Sequence, residues 1–323
     1  MKKITLPFTI IALLSLSSFS LLAEESQPTS SDTNSQSTPP ESNNEYVVPK
    51  PQLSRIDALK SSLTLRHLDH QIQTLDANGE TFLTLYSPSL TSSTQGCVIL
   101  LHSDNEHPDW PDAIAPLRAA LPKYSWCTLS IEVPDIIKRA SPVQVSLEDA
   151  ATETSPIELP NQTLVFARIQ AAIEKAKTEG VEQFAFLGYK TGASYALAFL
   201  ASNASAGSAL ALIDIEPTPN LSEYETAQLI RQITQPVLDY YVNNVGSEQF
   251  AMWRKQAANQ RAEKKGDYIQ LDSIPDRVTG KNGKQLLIQR VRGFLKQNTR
   301  QINQRSTLPS AKKGLFYESP ISN

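Results

Sequence analysis

Residues 184–201 read FAFLGYKTGASYALAFLA, and this stretch decides the fold class. The apolar run Phe184 to Leu187 has the length and composition of a strand buried on both faces. A turn follows in which Gly188 and Gly192 flank Lys190, and the residues from Ala193 to Ala201 favour a helix. A strand, a tight turn and a helix in this order are typical of α/β proteins with a parallel sheet.

The alternation of strand and helix continues on both sides of this stretch. The predicted strands are Cys97 to Leu101, Trp126 to Ile131, Phe184 to Leu187, Leu210 to Ile213, Val237 to Val242 and Tyr268 to Leu271. The predicted helices are Asp112 to Leu121, Gln162 to Thr178, Ala193 to Ala201, Ser222 to Ile233, Ser247 to Lys264 and Gly283 to Asn298. Because helical crossovers place successive strands in parallel, these elements predict a mostly parallel sheet with helices on both faces.

An antiparallel hairpin is predicted ahead of these elements. Leu63 to Leu75 and Thr81 to Tyr86 alternate in part between apolar and polar residues, and Asn78-Gly79 between them indicates a tight turn. Further along, Pro134 to Pro160 contains four prolines and is predicted to cross the end of the sheet. The sequence therefore predicts an α/β fold with an eight-stranded mostly parallel sheet opened by an antiparallel hairpin and with helices on both faces.

The charge balance excludes one class of function. The chain has 323 residues, with 30 Lys and Arg against 33 Asp and Glu, and 40% of its residues are hydrophobic. From residue 46 onward the two signs balance at 28 each, so this part lacks the basic excess that nucleic-acid binding requires. A neutral segment this rich in apolar residues also differs in composition from an intrinsically disordered chain. We therefore expect a globular body and no nucleic-acid partner.

The first residues predict export from the cytoplasm. Lys2-Lys3 precedes an apolar run from Ile4 to Leu22 and then Ala23, which together are typical of a secretory signal peptide over residues 1–23. An uncleaved membrane anchor is the alternative, because the 19 residues of this run are about long enough to span a bilayer. Pro7 and the many Ser and Thr residues in the run argue against an anchor.

The remaining domain boundaries follow from composition. Residues 24–50 are rich in Ser, Thr, Pro and acids and are predicted to form a disordered linker, and residues 301–323 are predicted to form a polar C-terminal tail. A single α/β-hydrolase-like domain is expected over residues 51–300. The expected location is the periplasm, and an extracellular location stays open.

Cys97 and Cys127 are the only cysteines of the chain, and each is the second residue of a predicted strand. If these strands are parallel neighbours in register, the two Cα atoms fall within the distance that a disulfide tolerates. A disulfide suits an exported protein, whereas a pair of buried thiols suits the apolar surroundings equally well. Both possibilities stay open from the sequence.

Two motifs give the chain a resemblance to the α/β-hydrolase fold. Leu187 to Ala193 resembles the nucleophile elbow, which is a strand, the motif G-x-S-x-G and a helix, and Leu100 to Ser103 resembles the strand end that opens the oxyanion loop. The chain is most similar to an uncharacterised family of exported proteobacterial α/β-hydrolase-like proteins. This resemblance covers roughly residues 60–298 and is carried by His102 to Pro111, Pro116-Leu117-Arg118, Trp126 to Ser130 and Arg290 to Lys296.

The catalytic residues of that fold are missing from this sequence. An acyl-transfer hydrolase of this kind needs a nucleophile on the elbow, then an acid, then a histidine base in chain order. Lys190 occupies the elbow position, and the acid-bearing loop offers Asn243-Asn244. The loop of residues 272–277 contains no histidine, and the four histidines all precede Lys190: His67, His70, His102 and His107. We therefore expect a catalytically silent member of the fold, while the question of enzyme activity stays open.

Two rearranged sites would restore a hydrolase. Shifting the elbow to Gly192 to Ala196 supplies Ser194, but this places the serine inside the first helical turn and leaves the base missing. Alternatively, His102 or His107 would act as a base for Ser103 at the carboxyl edge of the sheet, where open α/β folds bind ligands. In the competing interpretation, His102 fixes the loop by hydrogen bonds and Trp110 packs on the following helix.

The same loop contains several side chains of the types that bind metals: His102, Asp104, Glu106, His107, Asp109 and Asp112. Their spacing matches no familiar ligand signature, and acids near the start of a helix also stabilise its N-terminus. We therefore predict neither a metal site nor a cofactor.

Lys190 supplies the chemistry of the non-catalytic hypothesis. Its ammonium would add a full charge to the positive end of the following helix, which predicts a pocket for a carboxylate or a phosphate. The predicted ligand-binding residues are Lys190, Thr191, Asp104, Asp109 and Trp110. The expected partner is a small anion or a protein of the cell envelope, and a further hypothesis makes the chain an envelope scaffold. No stable membrane span is expected after signal cleavage.

Overall fold

The computed structural model of the protein describes residues 51–136, 158–242, 247–262, 266–273 and 283–300. The predicted signal peptide, linker and tail lie outside these residues, as do most of the crossing over 134–160, the loop residues Asn243-Asn244 and most of the loop 272–277. Within the described residues, no helix combines the length and the apolar character needed to cross a bilayer.

In the described part of the chain, eight strands form one sheet. They are β1 (Ile72–Ala77), β2 (Glu80–Ser87), β3 (Gly96–Leu101), β4 (Trp126–Ile131), β5 (Phe184–Tyr189), β6 (Ala209–Ile213), β7 (Val237–Val242) and β8 (Tyr268–Ser273). Their order is β1-β2-β4-β3-β5-β6-β7-β8. β2 is antiparallel to both β1 and β4, and the other neighbours are parallel. The predicted eight-stranded, mostly parallel sheet with its opening hairpin is therefore confirmed.

Helices cover both faces of the sheet, as predicted. The described helices are α1 (Pro51–Leu65), α2 (Ile114–Ala120), α3 (Gln162–Thr178), α4 (Thr191–Ser202), α5 (Glu223–Gln228), α6 (Ser247–Asn259) and α7 (Lys284–Asn298). On one face, α3, α4 and α6 form a core with Ile99 of β3, and on the other face α2 and α7 form a core with Leu100. Because β3 is buried on both faces, all of its residues are apolar apart from Gly96.

The largest difference from the sequence prediction lies at the start of the domain. The segment predicted as a strand from Leu63 contains the end of α1, a turn and a short 3-10 helix over Asp69–Gln71, and β1 begins only at Ile72. The buried residues of α1 are Ile56, Leu59 and Leu63, which pack against Leu83 and Leu85 of β2. Burial of each of these side chains contributes about 1.5–3 kcal/mol to stability. The helix is therefore stabilised mainly by its tertiary contact with β2.

Other element boundaries shift by a few residues. The helix predicted from Ser222 is split into α5 and a 3-10 turn over Leu229–Gln232, and α2 is followed by a 3-10 turn over Leu121–Tyr124. The turn between β1 and β2 is the predicted one, since Asn78 and Gly79 have φ angles of 56° and 81°.

The two cysteines lie opposite each other in the sheet. β3 and β4 are parallel neighbours, and their register pairs Cys97 with Cys127. The Cα atoms are 4.4 Å apart and the side chains form a buried disulfide in the structure. This bond joins two central strands near their amino ends, at the opposite end of β3 from His102.

Candidate functional site

The turn between β5 and α4 holds Lys190 in a strained backbone conformation. Its φ is 52° and its ψ is −120°, a region in which a residue other than glycine loses about 1–3 kcal/mol. The Lys190 N–H donates to the carbonyl of Ile213 at 2.9 Å, and the Ala193 N–H donates to the carbonyl of Lys190 at 3.0 Å. These bonds fix the side chain of Lys190 at the carboxyl edge of the sheet, where the sequence motif predicted it.

Gly188 and Gly192 let α4 approach the sheet closely. A Cβ atom on Gly188 would overlap the backbone of Ala193, and a Cβ atom on Gly192 would overlap the carbonyl oxygens of Leu101 and His102. The two glycines of the elbow motif are therefore required by packing between α4 and the end of β3. The backbone of a nucleophile elbow is present although its central residue is a lysine.

The Lys190 side chain forms an ion pair across the cleft. Its Nζ lies 2.9 Å from Oε1 of Glu216, and the two side chains are 36% and 50% exposed. Burial lowers the pKa of Lys190, but the hydrogen bond and charge of Glu216, with Glu106 and Asp214, outweigh it and the pKa lies above its ordinary value. The amine is thus held as an ammonium ion, which is not a nucleophile.

His102 is buried and bound to the backbone through both ring nitrogens. The Val133 N–H donates to Nε2 at 2.9 Å, so the ring proton is on Nδ1, which donates to the carbonyl of Ser103 at 2.7 Å. Burial, which disfavours the imidazolium form, lowers the pKa of His102 to about 3. His102 therefore fixes the loop, and neither nitrogen is free to take a proton from Ser103.

Ser103 and Asp104 form their hydrogen bonds with Thr191 and Glu106. The Ser103 hydroxyl lies 3.1 Å from Oγ1 of Thr191, and the Asp104 N–H donates to the same Oγ1 at 2.8 Å. The Ser103 N–H donates to Oε2 of Glu106 at 3.0 Å. In an α/β hydrolase an N–H of this loop stabilises the oxyanion of the substrate. Here both N–H groups are already bonded to side chains of the chain itself.

His107, Asp109 and Trp110 hold the loop against the helices rather than facing the cleft. The Asp109 N–H donates to Nδ1 of His107 at 3.2 Å, and the His107 ring packs edge-on against Trp110. Burial lowers the pKa of His107, so its ring also favours the neutral form. The Asp109 carboxylate is buried between two guanidinium groups, 2.6 Å from both Arg118 and Arg66. Asp109 and Trp110, which the sequence predicted as ligand-binding residues, therefore stabilise the conformation of the loop.

An open cleft of about 600 Å³ lies at the carboxyl edge of the sheet between the loops after β3 and β6. It brings together three of the predicted ligand-binding residues, Lys190, Thr191 and Asp104, and the catalytic candidate Ser103. Its other lining residues are Glu106, Ile136, Glu216, Pro217, Thr218, Pro219 and Leu221. Glu216 lies three residues past the end of β6, and the rule that ligands bind at the carboxyl ends of strands would have pointed to it.

Glu106 is the most perturbed carboxyl group of the cleft. It is 7% exposed, and burial raises its pKa to about 7. The hydrogen bond from the Ser103 N–H and the charge of Lys190 lower the pKa of Glu106, whereas Asp112 and Glu216 raise it. Near neutral pH this carboxyl group therefore exchanges between its charged and neutral forms. The sequence motif contained Glu106, but only the fold reveals that it is buried.

The remaining alternatives from the sequence are not supported by the geometry. Ser194, the serine of the shifted elbow, is buried inside α4, and its hydroxyl donates to the carbonyl of Glu216 at 2.6 Å. Among the residues that the structure describes, no group of three or more His, Cys, Asp and Glu side chains is arranged to hold a metal ion.

The chain belongs to the family described as a protein of unknown function (DUF3530), whose profile matches residues 6–297. No curated protein matches the chain.

Solved structures share the fold. A dienelactone hydrolase from Anabaena variabilis gives a TM-score of 0.50 at 14% identity, over 72% of this chain and all of that chain (100%). A cold-adapted esterase from an Arctic intertidal metagenomic library gives 0.50 at 16% identity, over 71% and 93%. Est1E from Butyrivibrio proteoclasticus gives 0.48 at 12% identity, over 71% and 98%. The similarity to the first two structures establishes the α/β-hydrolase fold for this chain. At 14% and 16% sequence identity it leaves the activity of this chain open.

Proposed function

We propose that this member of a family of unknown function binds a ligand in the cleft and keeps the α/β-hydrolase fold without its hydrolytic chemistry. The observation that carries the proposal is the ion pair of Lys190 with Glu216 at the elbow position. A hydrolase needs an activated nucleophile at this point, and an ammonium ion paired with a carboxylate has no lone pair to attack a carbonyl group.

Two further features support a silent site. Both nitrogens of His102 are bonded to the backbone, so the nearest imidazole cannot act as a general base without breaking the loop. The N–H groups of Ser103 and Asp104 are bonded to Glu106 and Thr191, so a developing oxyanion would have to displace these side chains.

The rearranged hydrolase around His102, Ser103 and His107 is the competing proposal. It needs an imidazole within about 3.2 Å of the Ser103 hydroxyl. In the described part of the chain that hydroxyl is bonded to Thr191, and Nδ1 of His107 is bonded to the Asp109 backbone. The hypothesis that the chain is an envelope scaffold is supported by no particular contact among the described residues. The cleft, in contrast, favours binding of a small ligand.

The test of silence uses the full chain with p-nitrophenyl acetate and a fluorophosphonate probe. We expect ester turnover at the buffer rate and no labelled serine. Lys190→Ser is expected to remain inactive because a serine alone gains no base, and Lys123→Ser, at an exposed lysine, is the matched control. Labelling of Ser103, or an esterase rate that disappears in both His102→Ala and Ser103→Ala with the fold intact, would establish the rearranged hydrolase instead.

We also propose that the protein works outside the cytoplasm, in the periplasm. The signal-like segment 1–23 motivates this proposal, and the disulfide between Cys97 and Cys127 supports it because such bonds persist in oxidising compartments. Cell fractionation of the full chain, with alkylation of free thiols, tests both points. Recovery in the cytoplasm with two alkylated cysteines would contradict the proposal.

A further inference from the structure

The described residues that line the cleft carry an excess of negative charge. Three carboxyl groups line it, those of Asp104, Glu106 and Glu216, against the single ammonium group of Lys190. Glu216 already neutralises Lys190. Among the described residues that line the cleft, the anion that the sequence predicted would therefore meet two further carboxyl groups and no unpaired cation.

The two remaining carboxyl groups are held by neutral donors only. Asp104 accepts the Ile136 N–H at 2.8 Å and the Asn105 side-chain amide at 2.8 Å, and Glu106 accepts the Ser103 N–H. Neither takes part in an ion pair among the described residues. Neutral donors orient a carboxylate without cancelling its charge, so among the described residues no cation compensates the charge of Asp104 or, when it is ionised, of Glu106.

Thr218 gives an independent indication that the cleft takes a ligand. This residue lines the cleft and is 1% exposed, and its Oγ1 has no hydrogen-bond partner among the described residues. A buried hydroxyl without a partner loses about 1–3 kcal/mol relative to one that is bonded. A ligand with several N–H donors could bond this hydroxyl as well as a carboxylate that lines the same cleft.

We propose that the cleft binds the ammonium group of a primary alkylamine, with Glu106 and Asp104 supplying the negative charge. The inference rests on the proposed ligand-binding function of the cleft. A primary ammonium group has three donors, which suits the carboxylates of Glu106 and Asp104 and the hydroxyl of Thr218. A metal ion fits less well, because the described residues include no group of three or more side chains arranged to bind one. The Lys190–Glu216 ion pair stays intact, since the amine uses the carboxyl groups that this pair leaves over.

The proposal implies that binding releases a proton. Glu106 faces Lys190, Asp112 and Glu216, and its backbone carbonyl accepts a bond from Arg55. A bound ammonium favours the charged form of Glu106, so affinity is expected to rise at least tenfold between about pH 5.5 and 8 as this group loses its proton.

The experiment is isothermal titration calorimetry on the full chain at low salt. n-Butylammonium chloride represents a free amine, Nα-acetyl-lysine amide represents a lysine side chain of a peptide, and sodium acetate is the anion. Saturable binding of either amine, with no binding of acetate, supports the site and identifies which source it accepts. Failure of both amines overturns the inference.

Three variants assign the binding to the named residues. Glu106→Gln keeps an acceptor for the Ser103 N–H and is expected to weaken amine binding at least tenfold and to remove its pH dependence, and Asp104→Asn is a second variant should the first fail to fold. Glu182→Gln, at an exposed acid outside the cleft, is expected to change nothing. Lys190→Met is expected to strengthen amine binding because it removes the competing cation. Saturable acetate binding that disappears in Lys190→Met would establish an anion site and overturn the inference.

The two proposals fail separately. Ester turnover by the full chain would overturn the silent site whatever the amines do. Failure of both amines to bind, in a protein that is inactive on esters, would overturn only the ammonium site.

Discussion

Two loops at the carboxyl edge of the sheet differ in how far their polar side chains are committed to the fold. In the loop after β3, His102 and Asp109 are buried and bonded to backbone or arginine groups. In the loop after β6, Glu216 is half exposed and Thr218 has no partner in the described part of the chain. His102 and Asp109 of the first loop are therefore bonded like polar groups of the protein core, whereas the second loop has polar groups that are available to a ligand.

This difference explains why the loop after β3, which has the most distinctive sequence motif, does not expose most of its polar side chains to a ligand. A dense run of His, Asp and Trp side chains predicts chemistry, but His102 is bonded to backbone groups and Asp109 to two arginines, so both are committed to holding the loop. The side chains that stay available lie where the two loops face each other across the cleft, and the first loop contributes Ser103, Asp104 and Glu106 to its lining.

The largest expected effect concerns the contact between α4 and the first loop. Gly192→Val would push side-chain atoms into the carbonyl oxygens of Leu101 and His102, and we expect a loss of more than about 5 kcal/mol and no folded protein. Gly293→Val is the matched control, because nothing lies within 4 Å of the Cβ position of Gly293 in α7, and a change within about 0.5 kcal/mol is expected. Urea unfolding measures both. A folded Gly192→Val protein would mean that the first loop moves more easily than its contacts indicate.

The second prediction compares a carboxylate from each loop. Asp109→Ala leaves the buried guanidinium of Arg118 without its partner, and we expect the free energy of unfolding to fall by about 3–5 kcal/mol. Glu216→Ala removes one member of a half-exposed ion pair, and we expect a loss of less than about 1 kcal/mol. The same unfolding measurement tests both variants. Equal losses would remove the distinction between the two loops.

The third prediction is a pH dependence of stability set by Glu106, smaller than the losses expected for Gly192→Val and Asp109→Ala. Its pKa is raised to about 7 in the folded state from an ordinary value of 4.5, so the stability that the protonated group contributes is present below pH 4.5 and is lost as pH rises to 7. Glu106→Gln removes this loss, and the variant is expected to gain on the order of 2 kcal/mol relative to the wild type between pH 4.5 and 8.

The pKa of His102 is shifted in the opposite direction from that of Glu106. Its contribution to stability cancels from the comparison because the wild type and the variant both contain His102. Its pKa is lowered to about 3 in the folded state from 6.5, so the stability that it contributes is present above pH 6.5 and is lost as pH falls to 3 in both proteins. Thermal unfolding of the wild type and Glu106→Gln at several pH values measures the difference. A difference that stays constant with pH would mean that Glu106 is solvated in solution.

Much of the fold followed from local patterns. Apolar runs of strand length identified the parallel strands, Asn78-Gly79 identified the hairpin turn, and the glycines around Lys190 identified the elbow. α1 was missed because its buried residues are few and two further leucines, Leu53 and Leu65, are exposed, so its amphipathic pattern is weak without the surface of β2 against which it packs.

The candidate site was predicted only in part. Lys190, Thr191, Asp104 and Ser103 lie in the cleft because strand ends in a parallel sheet meet at one edge. Asp109 and Trp110 come from the same loop, but the partners of Asp109 are Arg66 and Arg118, which lie at other points of the chain. Which side of a loop faces solvent depends on these pairings, and sequence spacing does not contain them.

The sequence by itself determined the alternation of strands and helices from β3 onward, the lysine at the elbow and the lack of a histidine in the chain after it, because these are matters of composition and local periodicity. Only the tertiary structure decided which charges are neutralised. It paired Lys190 with Glu216 and Asp109 with two arginines, and it buried Glu106 with no cation bound to it among the described residues. The strength of a charge depends on its burial and on its nearest partner, and both are set by contacts between distant parts of the chain.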